Sequence, residues 1–341
     1  MRILFVTNYQ QARAANSAAG IFVDRQIQSL HDAGVEVASY DIGTRYDPVS
    51  LWRAWRGLRA EIRRMRPDLL HAQYGTILAT VTVLTGHPTV ITFGGGDLLP
   101  GDFHSGGPDG PRLRALTLSW LRSYVAILLS HFAALFAVRT ICVSEGLRRS
   151  LHVRRRRAAV IPRGVDLGLF SPGSREEARA ELGWNPNARI VLTAGAGNWK
   201  TKGLDVATEA AELAKQSAPD VELRVIRDIP PNRMPLLYRA ADVLVCASRS
   251  EGSPNVVKEA LACELPVIGV RVGDVEERLA GVTPSAIVDR SPRAIADAIV
   301  QITREPRRSN GRQVIAALSL ERTCERIIEV YREATSEKER V

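Results

Sequence analysis

Two glutamates eight residues apart, Glu251 and Glu259, carry the clearest chemical signal in this sequence. The apolar run 241–247 before them predicts a buried strand, the turn residues after Glu251 predict a loop, and 256–262 predicts a helix. Glu251 would then lie at the carboxyl end of a strand, and Glu259 about two helical turns further on. In open α/β sheets, ligands bind just beyond the carboxyl ends of the strands. The free N–H groups of such a helix start suit a phosphate, and carboxylates accept hydrogen bonds from sugar hydroxyls. The combination indicates a nucleotide-sugar pocket.

The residues around these glutamates resemble the retaining glycosyltransferases of family 4, with Gly after the first Glu and Ala-Leu-Ala after the second. The resemblance implies that Glu251 contacts the donor sugar and that Glu259 holds the ribose hydroxyls. It also implies that the donor diphosphate and sugar are lined by the backbone amides around Gly252, Ser253, Asn255 and Val256. The structural alternative for the two glutamates is a helix-capping acid and a surface acid.

Strand and helix patterns alternate along the sequence, which predicts an α/β fold with parallel sheets. The pattern restarts after Pro162, and the resemblance implies the GT-B fold, two Rossmann-like doubly wound domains facing across a cleft. The expected domains are an acceptor domain at 1–164, a nucleotide-sugar donor domain at 165–318 and a closing helix at 319–341 that crosses back to the first domain.

Lys202 resembles the lysine of the family's Lys-Gly motif, and it is expected to supply a cation for the donor diphosphate. Growing negative charge on a leaving diphosphate is stabilised by a fixed cation, and Lys200 competes for this role. A solvated loop lysine is the structural alternative. The family's usual arginine, about five residues earlier, would fall on Gly197, so Lys200 or a distant arginine such as Arg163 would have to compensate.

The first half contains matches to the family's other loops. Gly20 resembles a Gly-Gly-Ile loop, in which glycine lets the backbone approach the donor phosphate. Asp97 ends a segment that resembles Thr-Phe-His-Gly-Ser-Asp and is expected to face the acceptor, but the histidine position is Gly94. His71 ends a predicted strand and is a candidate for the acceptor side, with a structural role as the alternative. His71 or His104 could replace the missing histidine.

The formal net charge of +9 requires a partner or an explanation. Arginines cluster at 59–66, 154–157 and 304–308, which indicates either solvated faces or an anionic membrane surface. Nucleic acid is not expected, since no binding motif accompanies the charge. Trp52 and Trp55 lie on a helical stripe that predicts core packing, with membrane-surface insertion as the alternative. In the apolar segment 115–138, the sixteen uncharged residues between Arg122 and Arg139 fall short of the roughly twenty needed to span a bilayer, so the segment predicts a buried or interfacial helix.

No cofactor and no metal ion are expected, because the sequence contains no Asp-x-Asp and no cysteine or histidine spacing typical of zinc. The four scattered cysteines fit a reducing cytoplasm, and the apolar start at residues 3–7 is too short for a signal peptide. The expected location is therefore cytoplasmic, with peripheral attachment to the inner face of the membrane left open.

The sequence favours an enzyme that moves a sugar from a nucleotide-diphosphate donor to a sugar, glycan or lipid-linked acceptor. The alternative is a non-catalytic sugar-nucleotide-binding or scaffold protein of a glycan assembly, which the departures at Gly94 and Gly197 motivate. A Rossmann oxidoreductase is disfavoured, because the glycines at Gly195 and Gly197 lack the third glycine and the later acid of the dinucleotide fingerprint.

Overall fold

The computed structural model describes residues 1–9, 20–43, 47–99, 113–195, 199–227 and 229–338, with the backbone alone at 113–120 and 337–338. The chain forms two compact units. One comprises Met1–Gly164 together with Leu320–Val341, and the other comprises Val165–Ser319. Each unit is built on a parallel β-sheet with apolar cores on both sheet faces, which confirms the α/β class.

The regular elements follow one another in a β/α alternation. The strands are β1 (Arg2–Thr7), β2 (Glu36–Asp41), β3 (Leu69–Ala72), β4 (Thr89–Phe93), β5 (Arg139–Cys142), β6 (Ala158–Val160), β7 (Arg189–Ala194), β8 (Val221–Ile226), β9 (Val243–Cys246), β10 (Val267–Gly269) and β11 (Ala286–Ile287). The helices are α1 (Ile21–Asp32), α2 (Pro48–Met65), α3 (Thr76–Val83), α4 (Leu113–Phe136), α5 (Glu145–Ser150), α6 (Arg175–Leu182), α7 (Trp199–Lys202), α8 (Leu204–Lys215), α9 (Met234–Ala240), α10 (Asn255–Ala262), α11 (Val275–Leu279), α12 (Pro292–Arg304), α13 (Gly311–Ile315) and α14 (Leu320–Lys338).

The sheet of the first unit has the order β2-β1-β3-β4-β5-β6, all parallel. Side chains of β1 alternate between the two faces, so that Ile3 and Phe5 pack with α1 and α14 while Leu4 and Val6 pack with α2, α3 and α4. The short strand β6 was not predicted. It has only three residues and directly follows an arginine run, so it carries no extended apolar signal.

The predicted tryptophan stripe on α2 divides between core and solvent. Leu58 and Ile62 continue the helical spacing of this stripe, and Leu58 is fully buried while Ile62 packs against the core, as core packing predicts. Trp52 is instead 53% exposed, because its offset of six residues from Leu58 places it about 120° around the helix from that buried side chain. The guanidinium of Arg56 stacks 4.6 Å from its ring centre. Core packing is therefore correct for the second half of the stripe and wrong for Trp52.

The sheet of the second unit has the order β11-β10-β9-β7-β8, again parallel. Helices α8 and α12 cover one face and α9, α10 and α11 cover the other. The chain passes from β7 to its neighbour β8 on one side and then crosses over to β9 on the other side of β7. This reversal of strand order creates a crevice at the carboxyl ends of β7 and β9, the place where open α/β sheets bind ligands.

Candidate functional site

The crevice of the second unit brings together the predicted Lys202 and Glu251. Lys202 follows β7, Glu251 follows β9, and Lys202 Nζ donates a hydrogen bond of 2.7 Å to Glu251 Oε1. The side chains are 32% and 14% exposed, so both can be reached by a ligand. Gly203 fixes the turn after the lysine, since its φ is +70° and a Cβ would lie 2.1 Å from the carbonyl oxygen of Ala247.

The loop after Glu251 is anchored to the interior of the second unit by a buried polar network that the sequence did not indicate. The Oγ of Ser253 donates to Asp274 Oδ2 at 2.8 Å and accepts from Lys258 Nζ at 3.1 Å. All three residues are buried, and burial raises the pKa of Asp274, opposed by the nearby Lys258 ammonium. The hydroxyl of Ser253 is thus occupied, and only its backbone stays available for the predicted donor contact.

The start of α10 presents backbone donors without a side-chain cap. Pro254 precedes the helix and offers no capping hydrogen bond, so the first-turn amides at Asn255 and Val256 lack an intrahelical acceptor. Among the described residues, the buried Oδ1 of Asn255 also has no hydrogen-bond partner. The amides and the positive end of the helix dipole together form a favourable position for a phosphate group.

Glu259 lies on the same helix and is oriented by a tyrosine from α9. Tyr238 is fully buried, and its hydroxyl donates to Glu259 Oε2 at 2.9 Å. Glu259 itself is half-buried, so it can hold a polar ligand from a fixed position. Tyr238 was not predicted as a site residue, because a tyrosine in an apolar helix gives only a core signal. Lys200, the second candidate cation, has its ammonium 5.4 Å from the ring centre of Trp199.

Arg227 is a further basic residue at this edge of the sheet that the sequence did not indicate. Gly195 directly follows β7, and a Cβ there would lie 2.3 Å from Val225 Cγ1 and 3.0 Å from Arg227 Nε, so the glycine leaves room for both side chains. The Arg227 side chain is exposed. Its position one strand away from Gly195 could be found only from the pairing of β7 with β8.

The first unit positions Gly20 and Gly94 in loops at the carboxyl edge of its own sheet. Gly20 precedes α1 with φ +72°, and a Cβ there would lie 2.9 Å from the ring of Tyr9. The space beside Gly94, where the family resemblance implies a histidine, is taken by Arg163, whose Nη2 would lie 2.5 Å from a Cβ. The Arg163 guanidinium also stacks on Phe22 at 4.0 Å.

Asp97 is fully buried and holds the surrounding loops together. Its carboxylate accepts backbone N–H hydrogen bonds from Gly75 at 3.0 Å, from Gly94 at 3.0 Å and from Gly95 at 2.8 Å. Burial raises the pKa of Asp97, and these amides oppose the shift. The carboxylate is thus directed at the loops rather than outward, and its expected contact with an acceptor stays a prediction.

His71 is likewise enclosed. Its Nδ1 is hydrogen-bonded to Tyr331 Oη and its Nε2 lies 2.7 Å from Thr92 Oγ1, which ties β3 and β4 to α14 within the first unit. Burial lowers the pKa of His71 to about 3, so the ring is neutral. Its acceptor-side role also stays a prediction, because both ring nitrogens already have partners.

The candidate residues therefore form two groups, one in each unit. The second unit holds the donor-type group of Lys200, Lys202, Glu251, Gly252, Ser253, Asn255, Val256 and Glu259, and the first holds Gly20, His71 and Asp97. Gly197 and His104 lie outside the described residues. Within the described part of the chain, no cluster of three or more His, Cys, Asp or Glu side chains could hold a metal ion. The expectation of metal-free chemistry stays a prediction.

Solved structures with the same architecture define the class of fold. Sucrose-phosphate synthase from Thermosynechococcus elongatus aligns over 98% of this chain and 99% of its own, with a TM-score of 0.76 at 18% identity. HepE from Anabaena, solved with UDP and glucose, aligns over 96% of this chain and 98% of its own, with a TM-score of 0.67 at 16% identity. The predicted GT-B fold class is thereby confirmed.

Family models match both halves of the sequence. The model for Glycosyltransferase Family 4 matches residues 9–169, and the model for Glycosyl transferases group 1 matches residues 226–305. The chain belongs to glycosyltransferase family 4, as the motif resemblance predicted.

Two curated relatives are D-inositol 3-phosphate glycosyltransferases. The protein of Segniliparus rotundus is 30% identical over 51% of this chain and 46% of its own, and that of Geodermatophilus obscurus is 32% identical over 53% of this chain and 48% of its own. The chain thus matches only about half the length of these relatives.

Proposed function

We propose that this protein is a retaining glycosyltransferase that moves a sugar from a nucleotide-diphosphate donor to an acceptor hydroxyl. The observation that carries the proposal is the Lys202–Glu251 pair of 2.7 Å at the strand-order reversal of the second unit, next to the uncapped start of α10. A cation, free helix amides and a carboxylate are the groups that a sugar diphosphate requires. Membership of family 4 supports the same chemistry.

In the proposed reaction, the bond between the sugar carbon and the diphosphate oxygen breaks, and its electron pair remains on the diphosphate. Lys202 and the α10 amides stabilise the charge that develops there. The acceptor oxygen bonds to the sugar carbon from the same face, and its proton passes to the leaving phosphate. Glu251 would bind a donor-sugar hydroxyl and Glu259 the ribose hydroxyls, with Tyr238 holding Glu259 in position.

The residues of the first unit would act on the acceptor side. Because Asp97 is saturated by loop amides, we assign it a positioning role: it would fix the backbone of Gly94 and Gly95, which in turn would face the acceptor. His71 would stabilise the same edge of the sheet through its hydrogen bond with Thr92. Gly20 would permit close approach of the backbone to the donor phosphate, as the family resemblance implies.

The donor, the acceptor and the location belong to the proposal as well. The UDP-glucose complex of HepE and the inositol phosphate named for the curated relatives make uridine diphosphate sugars and inositol phosphates the first compounds to test. A glycan or lipid-linked acceptor, a cytoplasmic location and peripheral attachment to the inner membrane face are consistent with the basic surface.

A donor panel tests the proposed function. Nucleotide sugars are screened by thermal shift, and those that stabilise the protein are assayed for nucleotide release with and without acceptor candidates. A ligand at a hundred times its dissociation constant should stabilise the fold by about 2.7 kcal/mol. Stabilisation by one donor and acceptor-dependent release support the proposal, and Glu277→Gln serves as the exposed-carboxylate control for Glu251→Gln. Binding without release under any acceptor would instead favour the scaffold alternative.

A further inference from the structure

Helix α4 of the first unit carries an apolar face toward solvent. Its inner side packs on the core through Ala133 and Ala134. Its outer side is formed by large apolar and aromatic residues that are 38–68% exposed. We call this outer side the α4 face, and it consists of Leu121, Tyr124, Val125, Leu128, Phe132, Leu135 and Phe136. The steps of three and four residues place all seven on one side of the helix, over about 22 Å of its length.

Arginines flank this face at both ends. Arg122 is exposed at one end, and at the other Arg154 Nη1 donates to the carbonyl oxygen of Ala137 at 2.9 Å. That bond holds the 3₁₀ turn Arg155–Arg157, which is exposed, beside the C-terminus of α4. Residues 121–157 contain eight arginines and a single acidic residue, so most of the net charge of the whole chain lies in this segment.

We propose that the α4 face docks on an anionic phospholipid bilayer, with α4 lying in the plane of the interface. Helices of this kind bury their apolar side at the boundary between headgroups and acyl chains, while basic side chains pair with anionic lipids. In the described part of the chain, no helix combines the length and hydropathy needed to cross a membrane. The exposed Trp52 of α2, a helix that covers the same face of the sheet, adds an aromatic contact of the kind that favours the headgroup region.

Charge favours a lipid surface over a second copy of the chain as the occupant. A symmetric dimer through the α4 face would bring positive segments against positive segments, since Arg122 and the Arg155–Arg157 turn are present in both copies. The one acidic residue of the segment, Glu145, is already paired with Arg148 at 3.0 Å and could not relieve that repulsion. An anionic bilayer presents the opposite sign over the whole face.

Vesicle co-sedimentation of the full chain tests the proposal. The probes are vesicles of phosphatidylcholine alone and of phosphatidylcholine mixed with phosphatidylglycerol, at low and high salt. We expect binding to the anionic vesicles, weakened by salt. Leu128→Ser should weaken it roughly tenfold because a buried leucine is lost, whereas Val314→Ser, an exposed valine of the second unit, should not.

A charge-matched pair of triple variants tests the arginine turn. Arg155→Ser/Arg156→Ser/Arg157→Ser should weaken binding by about fivefold for each arginine removed. Arg271→Ser/Arg293→Ser/Arg307→Ser, which removes exposed arginines of the second unit, should bind as the parent does. Because every substitution is at the surface, unchanged circular dichroism and melting should show that the variants fold.

Two results would overturn the proposal. One is equal binding to neutral and anionic vesicles, or no binding to either. The other is a dimer in sedimentation velocity that Leu128→Ser dissociates, which would assign the α4 face to a second copy. Neither readout depends on glycosyl transfer, so the proposed function and this surface can fail independently.

Discussion

Lys202 and Glu251 follow two neighbouring strands of the second unit, β7 and β9, and form an ion pair of 2.7 Å between Nζ and Oε1. The pair is partly exposed, so it adds little to the stability of the fold. Its value is positional: the cation proposed for the diphosphate and the acid proposed for the sugar are held together before the donor arrives. Sequence motifs named both residues but did not predict that they contact each other.

Removal of the Lys202 charge should affect the chemical step. We expect Lys202→Met to lower the transfer rate by about 10²–10³-fold, because the charge developing on the leaving diphosphate loses its fixed cation. Lys215→Met removes a lysine that is paired with Glu212 on the outside of α8 and should leave the rate unchanged. Steady-state kinetics of both variants provides the comparison. Equal rates for Lys202→Met and the parent would exclude the assigned role.

Glu259 should govern nucleotide affinity. Glu259→Gln should weaken nucleoside diphosphate binding by about 1–3 kcal/mol, because a charged acceptor for the ribose hydroxyls is lost. Tyr238→Phe should weaken it less, since the tyrosine acts only by orienting Glu259 through the 2.9 Å hydrogen bond. Isothermal titration calorimetry measures both. A larger loss for Tyr238→Phe than for Glu259→Gln would reverse the two roles.

Arg227 is the described residue that we expect to supply the charge absent at Gly197. Arg227→Ala should weaken binding of a nucleoside diphosphate roughly tenfold, because a hydrogen bond between charged groups is lost. Affinity for the corresponding nucleoside should not change. Arg233→Ala, an exposed arginine paired with Glu181 in the same unit, is the control. Parallel losses for nucleoside and diphosphate would place Arg227 at the base rather than at the phosphates.

Gly203 and Gly183 have similar backbone angles but differ in the space around a Cβ, so alanine at each position separates a steric clash from backbone strain. Gly203→Ala should destabilise the second unit by more than about 2 kcal/mol, because its Cβ would lie 2.1 Å from the Ala247 carbonyl oxygen in addition to the strain of φ +70°. Gly183 has φ +65° and nothing within 4 Å of a Cβ, so Gly183→Ala should cost only about 1 kcal/mol. Urea unfolding of the two variants makes the comparison, and similar losses would contradict the proposed close contact.

The buried His71 should make the first unit less stable in acid. Its pKa is lowered to about 3 in the folded chain, against 6.5 for an unperturbed histidine. Between these values the unfolded chain binds a proton that the folded chain does not, so stability falls as the pH drops, by about 1.4 kcal/mol per pH unit.

Comparison with His71→Gln isolates this contribution. The variant should be less stable near neutral pH, because Tyr331 and Thr92 lose their buried partner. Its free energy of unfolding should then decline less steeply with acid than that of the parent. Urea unfolding across the window from 6.5 to 3 measures both slopes. Parallel slopes would show that His71 is not the titrating group.

The elements with long apolar runs were predictable from the sequence, and the site was predictable only where a local motif is present. The apolar patterns at 69–72, 89–93, 189–194 and 221–226 predict four strands, and β3, β4, β7 and β8 begin and end at those residues. Strand β6 and helix α12 were missed. The network of Ser253, Lys258 and Asp274 could not be inferred, because its members are brought together by tertiary packing and not by spacing.

The inward orientation of the Asp97 and His71 side chains could not be predicted for the same reason, because it depends on tertiary packing. Each residue occupies a position where the family resemblance implies function, and sequence alone gives no information about which way a side chain points. Asp97 contacts the amide of Gly75, 22 residues away, and His71 contacts Tyr331, 260 residues away. Such long-range partners decide whether a polar side chain faces a ligand or the core.

The most direct test of the account is a paired measurement on Glu251→Gln, with the donor identified by the panel. The transfer rate and the affinity for the nucleoside diphosphate are measured on the same preparation. If Glu251 binds the donor sugar, the rate should fall at least tenfold while nucleoside diphosphate affinity stays within about twofold of the parent. Equal losses in rate and affinity, or no loss in either, would contradict the assignment of this pocket to a nucleotide sugar.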